Sequence, residues 1–134
     1  MAKKLEEKQR EIILKLGFFE QQIKILQQQL QSIHENILEL NSLILALNEI
    51  KKSKEKEILA SLGRGIFINA KITSEDVLVD VGDKKFVKKD IEETKNLIKE
   101  QLNKLDEIKE EIESNIETLE REISNLIREA ENLN

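Results

Sequence analysis

Cysteine, proline, tryptophan and tyrosine are absent from these 134 residues, and histidine and methionine occur once each. The missing cysteine excludes disulfides, thiolate metal sites and thiol nucleophiles, and it fits a cytoplasmic protein. With no proline, nothing in the chain forces a helix to break. The single histidine, His34, has no second histidine or cysteine with which to share a metal, so it is expected as an exposed polar residue on a helix. No apolar run approaches the roughly 18 residues that a membrane-spanning helix needs. The N-terminal MAKKLEEKQR has no apolar core behind its lysines and does not read as a secretory signal. There is no glycine-rich phosphate loop, no catalytic triad, no zinc-ligand spacing and no Glu-x-x-His pair for a two-metal helical site. An enzyme is not expected, and no cofactor or metal is implied.

Charge is abundant but unevenly placed. Charged residues make up 37% of the chain and the net charge is −5. Residues 1–60 carry ten basic and nine acidic side chains, residues 61–89 six and four, and residues 90–134 six and fourteen. Phosphate binding needs a basic stripe, so nucleic acid is not an expected partner. The acidic last third is a plausible electrostatic match for the first. Leu, Ile and Val are too frequent and too regularly spaced for a disordered chain, and the composition is that of long helices.

The first segment, residues 1–56, carries Ile12, Leu16, Phe19, Ile23, Leu26, Leu30, Ile33, Ile37, Leu40, Ile44 and Leu47. These positions alternate steps of four and three without exception, a sustained coiled-coil seam. Fifty helical residues make a rod on the order of 75 Å long, which cannot bury its stripe without a partner helix. Continuing the count brings Lys51 and Lys54 onto the seam within the cluster Lys51, Lys52, Lys54 and Lys56. This predicts that the helix leaves its partner there, with the lysines solvated and favourable to the helix dipole. Gly17 is a weak point inside the helix. Ile13 and Phe18 lie off the seam beside it. Two readings of them stand: scattered surface apolars, which are ordinary, or an exposed adhesive patch.

The last segment, residues 90–134, opens with Asp90 as a capping residue and Glu92 and Glu93 in the first turn. Its seam runs Ile91, Lys95, Ile98, Leu102, Leu105, Lys109, Ile112, Ile116, Leu119, Ile123, Leu126, Ala130 and Leu133. Matched seams joined by about thirty structured residues predict an antiparallel coiled coil within one chain, with Leu47 near Ile98 and Ile12 near Leu133. The free end would then gather Ile12, Ile13, Phe18, Phe19, Leu126, Ile127 and Leu133, a surface suited to loose apolar contact with unfolded chains.

Between the helices, residues 57–89 change rhythm to short β-type bursts. Four strands are predicted, at about Glu57–Ser61, Gly65–Ile72, Val77–Val81 and Lys85–Lys88. Leu62-Gly63-Arg64 and Gly82-Asp83-Lys84 are the expected turns, because Gly63, Gly65 and Gly82 supply positive φ. Two isolated hairpins are not stable in water and leave open edges. The insert is therefore an oligomerisation element. Ile66, Phe67, Ile68, Val77, Val79, Val81, Phe86 and Val87 are its assembly residues.

This layout resembles the prefoldin family, and within it the α-class subunit of archaeal type. The resemblance is sharpest at Ile58-Leu59-Ala60-Ser61-Leu62-Gly63, at Gly65-Ile66-Phe67-Ile68-Asn69-Ala70-Lys71-Ile72 and at Val77-Leu78-Val79-Asp80-Val81-Gly82. Phe86-Val87-Lys88-Lys89 and the acidic helix start are similar to the family as well. Two hairpins rather than one favour the α class. The chain departs from the family pattern at Leu62, where proline is frequent, and in having no long tail after Asn134. The resemblance implies a mainly α fold in one domain, a long antiparallel two-helix coiled coil with two inserted β-hairpins that close into an oligomeric β-barrel. It further implies an ATP-independent chaperone subunit in a cytoplasmic hetero-hexamer of two α and four β-class chains. Such a holdase binds unfolded clients at its coiled-coil tips and passes them to a group II chaperonin. The alternative is a homo-oligomeric or filamentous scaffold or tether without client transfer.

Overall fold

The computed structural model describes residues 2–53 and 55–133. In chain order it runs α1 (Ala2–Lys52), β1 (Glu57–Gly63), β2 (Ile66–Lys71), β3 (Val77–Gly82), β4 (Lys85–Lys89) and α2 (Ile91–Asn132). Two long helices thus enclose two separate two-stranded antiparallel sheets, β1 with β2 and β3 with β4, as the sequence predicts. The chain divides into two compact units, Met1–Asn36 with Leu105–Asn134, and Ile37–Lys104.

In the first unit the predicted seam is the buried line. Ile12, Ile33, Ile112 and Leu126 are buried, and the seam residues between them, from Leu16 to Leu30 on α1 and from Leu105 to Ala130 on α2, are half-buried. Their neighbours are exposed almost throughout. Leu133 shares a shallow cleft with Leu5 and Lys8. The end of α2 therefore lies beside the start of α1, as an antiparallel pair requires. Lys109 occupies a seam position by laying its stem along the apolar line and turning its amine to Glu113, 4.0 Å away.

The second unit holds a small core of Leu47, Ile91 and Ile98, with Leu40, Ile44, Ile50, Val77 and Leu102 packed around it. Leu47 is only 4% exposed. Its loss in Leu47→Ala is expected to cost ~2–5 kcal/mol, as transfer and cavity terms add. Leu45→Ala, at a site 66% exposed, should change stability by less than about 0.5 kcal/mol. Denaturant unfolding followed by circular dichroism checks both, and equal effects would remove the seam assignment.

α1 ends earlier than the first segment does. Ser53 N–H donates to Ile50 O at 3.0 Å, tightening the last turn, and Ser53 Oγ donates to Glu49 O at 2.7 Å. Glu55 then adopts φ +71° and its N–H crosses to Ile72 O at 3.0 Å. The helix stops by side-chain competition for its own carbonyls, without glycine or proline. Lys51 is exposed and pairs with Glu92 of α2 at 2.9 Å. That hydrogen bond holds the Lys51 amine above its ordinary range and the Glu92 carboxyl below its own. Lys54, the other lysine predicted on the seam, lies outside the described residues.

α2 begins as predicted. Asp90 Oδ1 accepts from Glu93 N–H at 2.8 Å, so Asp90 is the capping residue. Thr94 Oγ1 donates to Asp90 O at 2.8 Å. Thr94 is buried although it lies off the seam.

Candidate functional site

The two hairpins share one geometry. Advancing by 19 residues superposes Ile58-Leu59-Ala60-Ser61-Leu62-Gly63 on Val77-Leu78-Val79-Asp80-Val81-Gly82 and Phe67-Ile68 on Phe86-Val87. Both ladders carry a register shift at the same place, between Ser61 and Gly63 and between Asp80 and Gly82. A side-chain oxygen receives the bulge glycine in each case: Gly63 N–H donates to Ser61 Oγ at 3.2 Å and Gly82 N–H to Asp80 Oδ1 at 2.9 Å. The two-residue turns Arg64-Gly65 and Asp83-Lys84 have φ of 53°, 77°, 52° and 59°, the double left-handed backbone of the primed turns that match strand twist. The predicted turns are thus displaced by one residue in the first hairpin, where Leu62 stays in β1 and Gly65 joins the turn.

Register assigns the faces. Ile58, Ala60, Ile66 and Ile68 lie on one face of the first hairpin and Leu59 and Phe67 on the other. In the second, Val77, Val79 and Val87 share a face, and Leu78, Asp80 and Phe86 the opposite one, with Val81 the extra residue of the bulge. Val77 reaches the helix core and Val79 is half-buried. Ile66, Phe67, Ile68, Val81, Phe86 and Val87 are all exposed, each by 41% or more. An open groove of about 710 Å³ runs between β3 and the helix residues of the same unit, lined by Leu43, Leu47, Thr94 and Leu97 from the helices and Leu78 and Val79 from the hairpin.

The other predicted residues lie on the two helices of the first unit. Ile13, Phe18 and Ile127 are exposed, Phe19 and Leu133 half-buried, and Ile12 and Leu126 buried in the seam. Phe18 and Phe19 meet edge to face with ring centroids 6.0 Å apart. Sequence reasoning overlooked Leu14, which is 73% exposed. Leu14, Phe18, Gln21 and Ile25 repeat the four-three step one face away from the seam, so the signal was present as a second, mixed stripe. Among the described residues no cluster of His, Asp or Glu is placed to hold a metal ion, and no helix is long and apolar enough to cross a membrane.

The profile of the family described as prefoldin subunit matches residues 19–134, which include the hairpins, all of α2 and most of α1. The chain belongs to the prefoldin family. Among solved structures, the fold is similar to the filamentous PFD of Methanocaldococcus jannaschii, determined by cryo-EM, with a TM-score of 0.76 and 24% sequence identity over 87% of this chain and 98% of that one. No curated protein sequence matches. Exposed apolar side chains of this chain lie on the hairpins, among them Phe67 and Phe86, and on the helices, among them Ile13, Phe18 and Ile127. Members of the prefoldin family are chaperones rather than enzymes.

Proposed function

We propose that this prefoldin is an α-class subunit of an ATP-independent holdase. Its hairpins join β-class subunits, two α with four β, and close a shared β-barrel. The observation that carries this reading is the contrast between the two parts of the chain. The helices bury their seams against each other, whereas the hairpins leave Ile66, Phe67, Ile68, Val81, Phe86 and Val87 in water. Two-stranded sheets of this size are marginal alone, so a partner that supplies strands supplies their stability. Non-native clients are held by the helix end bearing Ile13, Phe18 and Ile127, with Ile12, Phe19, Leu126 and Leu133 uncovered as terminal turns open. A group II chaperonin receives the client, and the assembly works in the cytoplasm without nucleic acid or membrane.

A second reading is a homo-oligomer or filament of this chain. The similar fold of a PFD that is itself filamentous favours it, and so does the hairpin repeat, since a chain with two equivalent pairing modules can link to two neighbours. Co-expression with a β-class subunit, followed by native mass measurement, separates the two. The hetero-hexamer requires a complex of two α and four β chains, and its absence beside large homomeric species would favour the second reading. Suppression of aggregation of a denatured client then decides between a holdase and a scaffold or tether.

A further inference from the structure

The four strands do not offer equal edges. β1 (EILASLG) and β2 (IFINAK) carry one charge each, at Glu57 and Lys71, and β3 carries only Asp80. β4 (KFVKK) carries Lys85, Lys88 and Lys89, with Lys84 in the turn before it. Among the described residues β4 is bonded to β3 on one side only, which leaves its other edge open. The lysines occupy both faces of that edge. Lys85 and Lys89 flank Val87 on the face shared with Val77 and Val79, and Lys88 follows Phe86 on the opposite face. Lys88 reaches Asp76 at 3.6 Å. Lys84, Lys85 and Lys88 are exposed.

Cross-strand neighbours of opposite charge stabilise an antiparallel pair and like charges directly opposite destabilise it. Edge lysines are also a common means of blocking unwanted strand addition. A second copy of β4 pairing antiparallel about Val87 would set Lys85 opposite Lys89 twice over. β2 of a second copy would bring another lysine and no acid. We infer that the β4 edge is a charge-selective docking edge, rejecting its own kind and accepting an edge strand that carries acidic side chains at alternate positions. This rests on the proposal that the hairpins mediate assembly, and it specifies the chemistry of the partner strand. A nucleic acid fits the edge less well, because Asp76, Asp80 and Asp83 lie in the same hairpin and its approach.

The test supplies the acidic strand from the protein itself. Full-length Lys85→Glu/Lys88→Glu, with its folding checked by circular dichroism, is mixed with unaltered chain and the species counted by native mass spectrometry. Species containing both chains are expected to exceed the statistical fraction by about threefold at low salt. They should return to it near 1 M salt, where the Debye length is about 3 Å. Lys85→Thr/Lys88→Thr, which removes the charge and favours strand, should self-associate more than the unaltered chain and lose the salt dependence. Oligomers that mix statistically at both salt concentrations, or a threonine variant that behaves as the unaltered chain does, would overturn the selectivity while leaving hairpin assembly intact. Monomers in every sample, the mixture included, would overturn the selectivity, and co-expression with the β-class subunit would then decide hairpin assembly by itself.

Discussion

Val79→Asp/Val81→Asp is expected to reduce the assembly to monomers while leaving the helical signal close to that of the unaltered chain. Val79 is half-buried on the face of β3 that carries Val77 and Val87. Val81, the extra residue of the bulge, is 54% exposed and has little to lose within the chain. In the proposed barrel both would be enclosed. A polar group enclosed without a partner costs about 1–3 kcal/mol in mutational series, so two together should weaken association on the order of 10²-fold or more. The helices are buffered from this change. Their contacts run along seams whose residues lie on α1 and α2, and Val77, which is left unaltered, is the strand residue packed on the Leu47, Ile91 and Ile98 core among the described residues. Sedimentation velocity and circular dichroism on the same samples distinguish the outcomes. An oligomer that survives both aspartates would remove the hairpins from assembly, and a loss of helix would place these valines in the fold of the subunit instead.

The helical part of this prefoldin was legible because a coiled-coil seam is a local signal. Each residue from Ile12 to Leu47 and from Ile91 to Leu133 at the four-three spacing is buried or half-buried, including Lys95, whose amine turns to Glu92 at 3.6 Å. The cap at Asp90 was legible for the same reason, since all its partners lie within four residues. Thr94 was not, because it is buried at a position off the four-three seam, and the spacing along α2 marks the seam positions alone. The hairpin repeat also escaped notice. Ser61 and Asp80, or Gly65 and Lys84, share little as side chains yet fill the same roles, an oxygen facing a bulge amide and a left-handed turn position. What the sequence alone leaves open is the partner. Phe67 and Phe86 are exposed, which fits the proposed assembly face, and the lysines of β4 are the feature from which its chemistry is inferred.

Removing residues 1–12 and 127–134 is expected to leave the oligomer intact and to weaken protection of a denatured client severely. Those residues belong to the first compact unit, whereas every proposed assembly residue lies in the second. The deletion takes Ile127, which is 46% exposed, and Leu133 outright, and uncovers or frees what Ile12 packs against. Ile13 and Phe18, exposed by 67% and 60%, remain but would sit on a fraying terminus. Terminal turns open at low free-energy cost because few contacts hold them, and an adaptable apolar end is what loose binding of many unfolded chains requires. A gentler version tests the exposed residues alone. Ile13→Ser/Phe18→Ser removes two exposed apolar side chains that are not themselves on the seam, losing the edge-to-face contact of Phe18 with Phe19, so stability should change by about 1 kcal/mol or less while client protection falls measurably. Adding Leu14→Ser, the overlooked neighbour, should deepen the loss. The readout is light scattering of a thermally denatured client at fixed chaperone concentration, with the mass of the assembly checked in parallel. If the shortened protein protects as well as the full chain, the clients are held by another apolar surface, and the groove beside Leu43, Leu97 and Leu78 becomes the place to look.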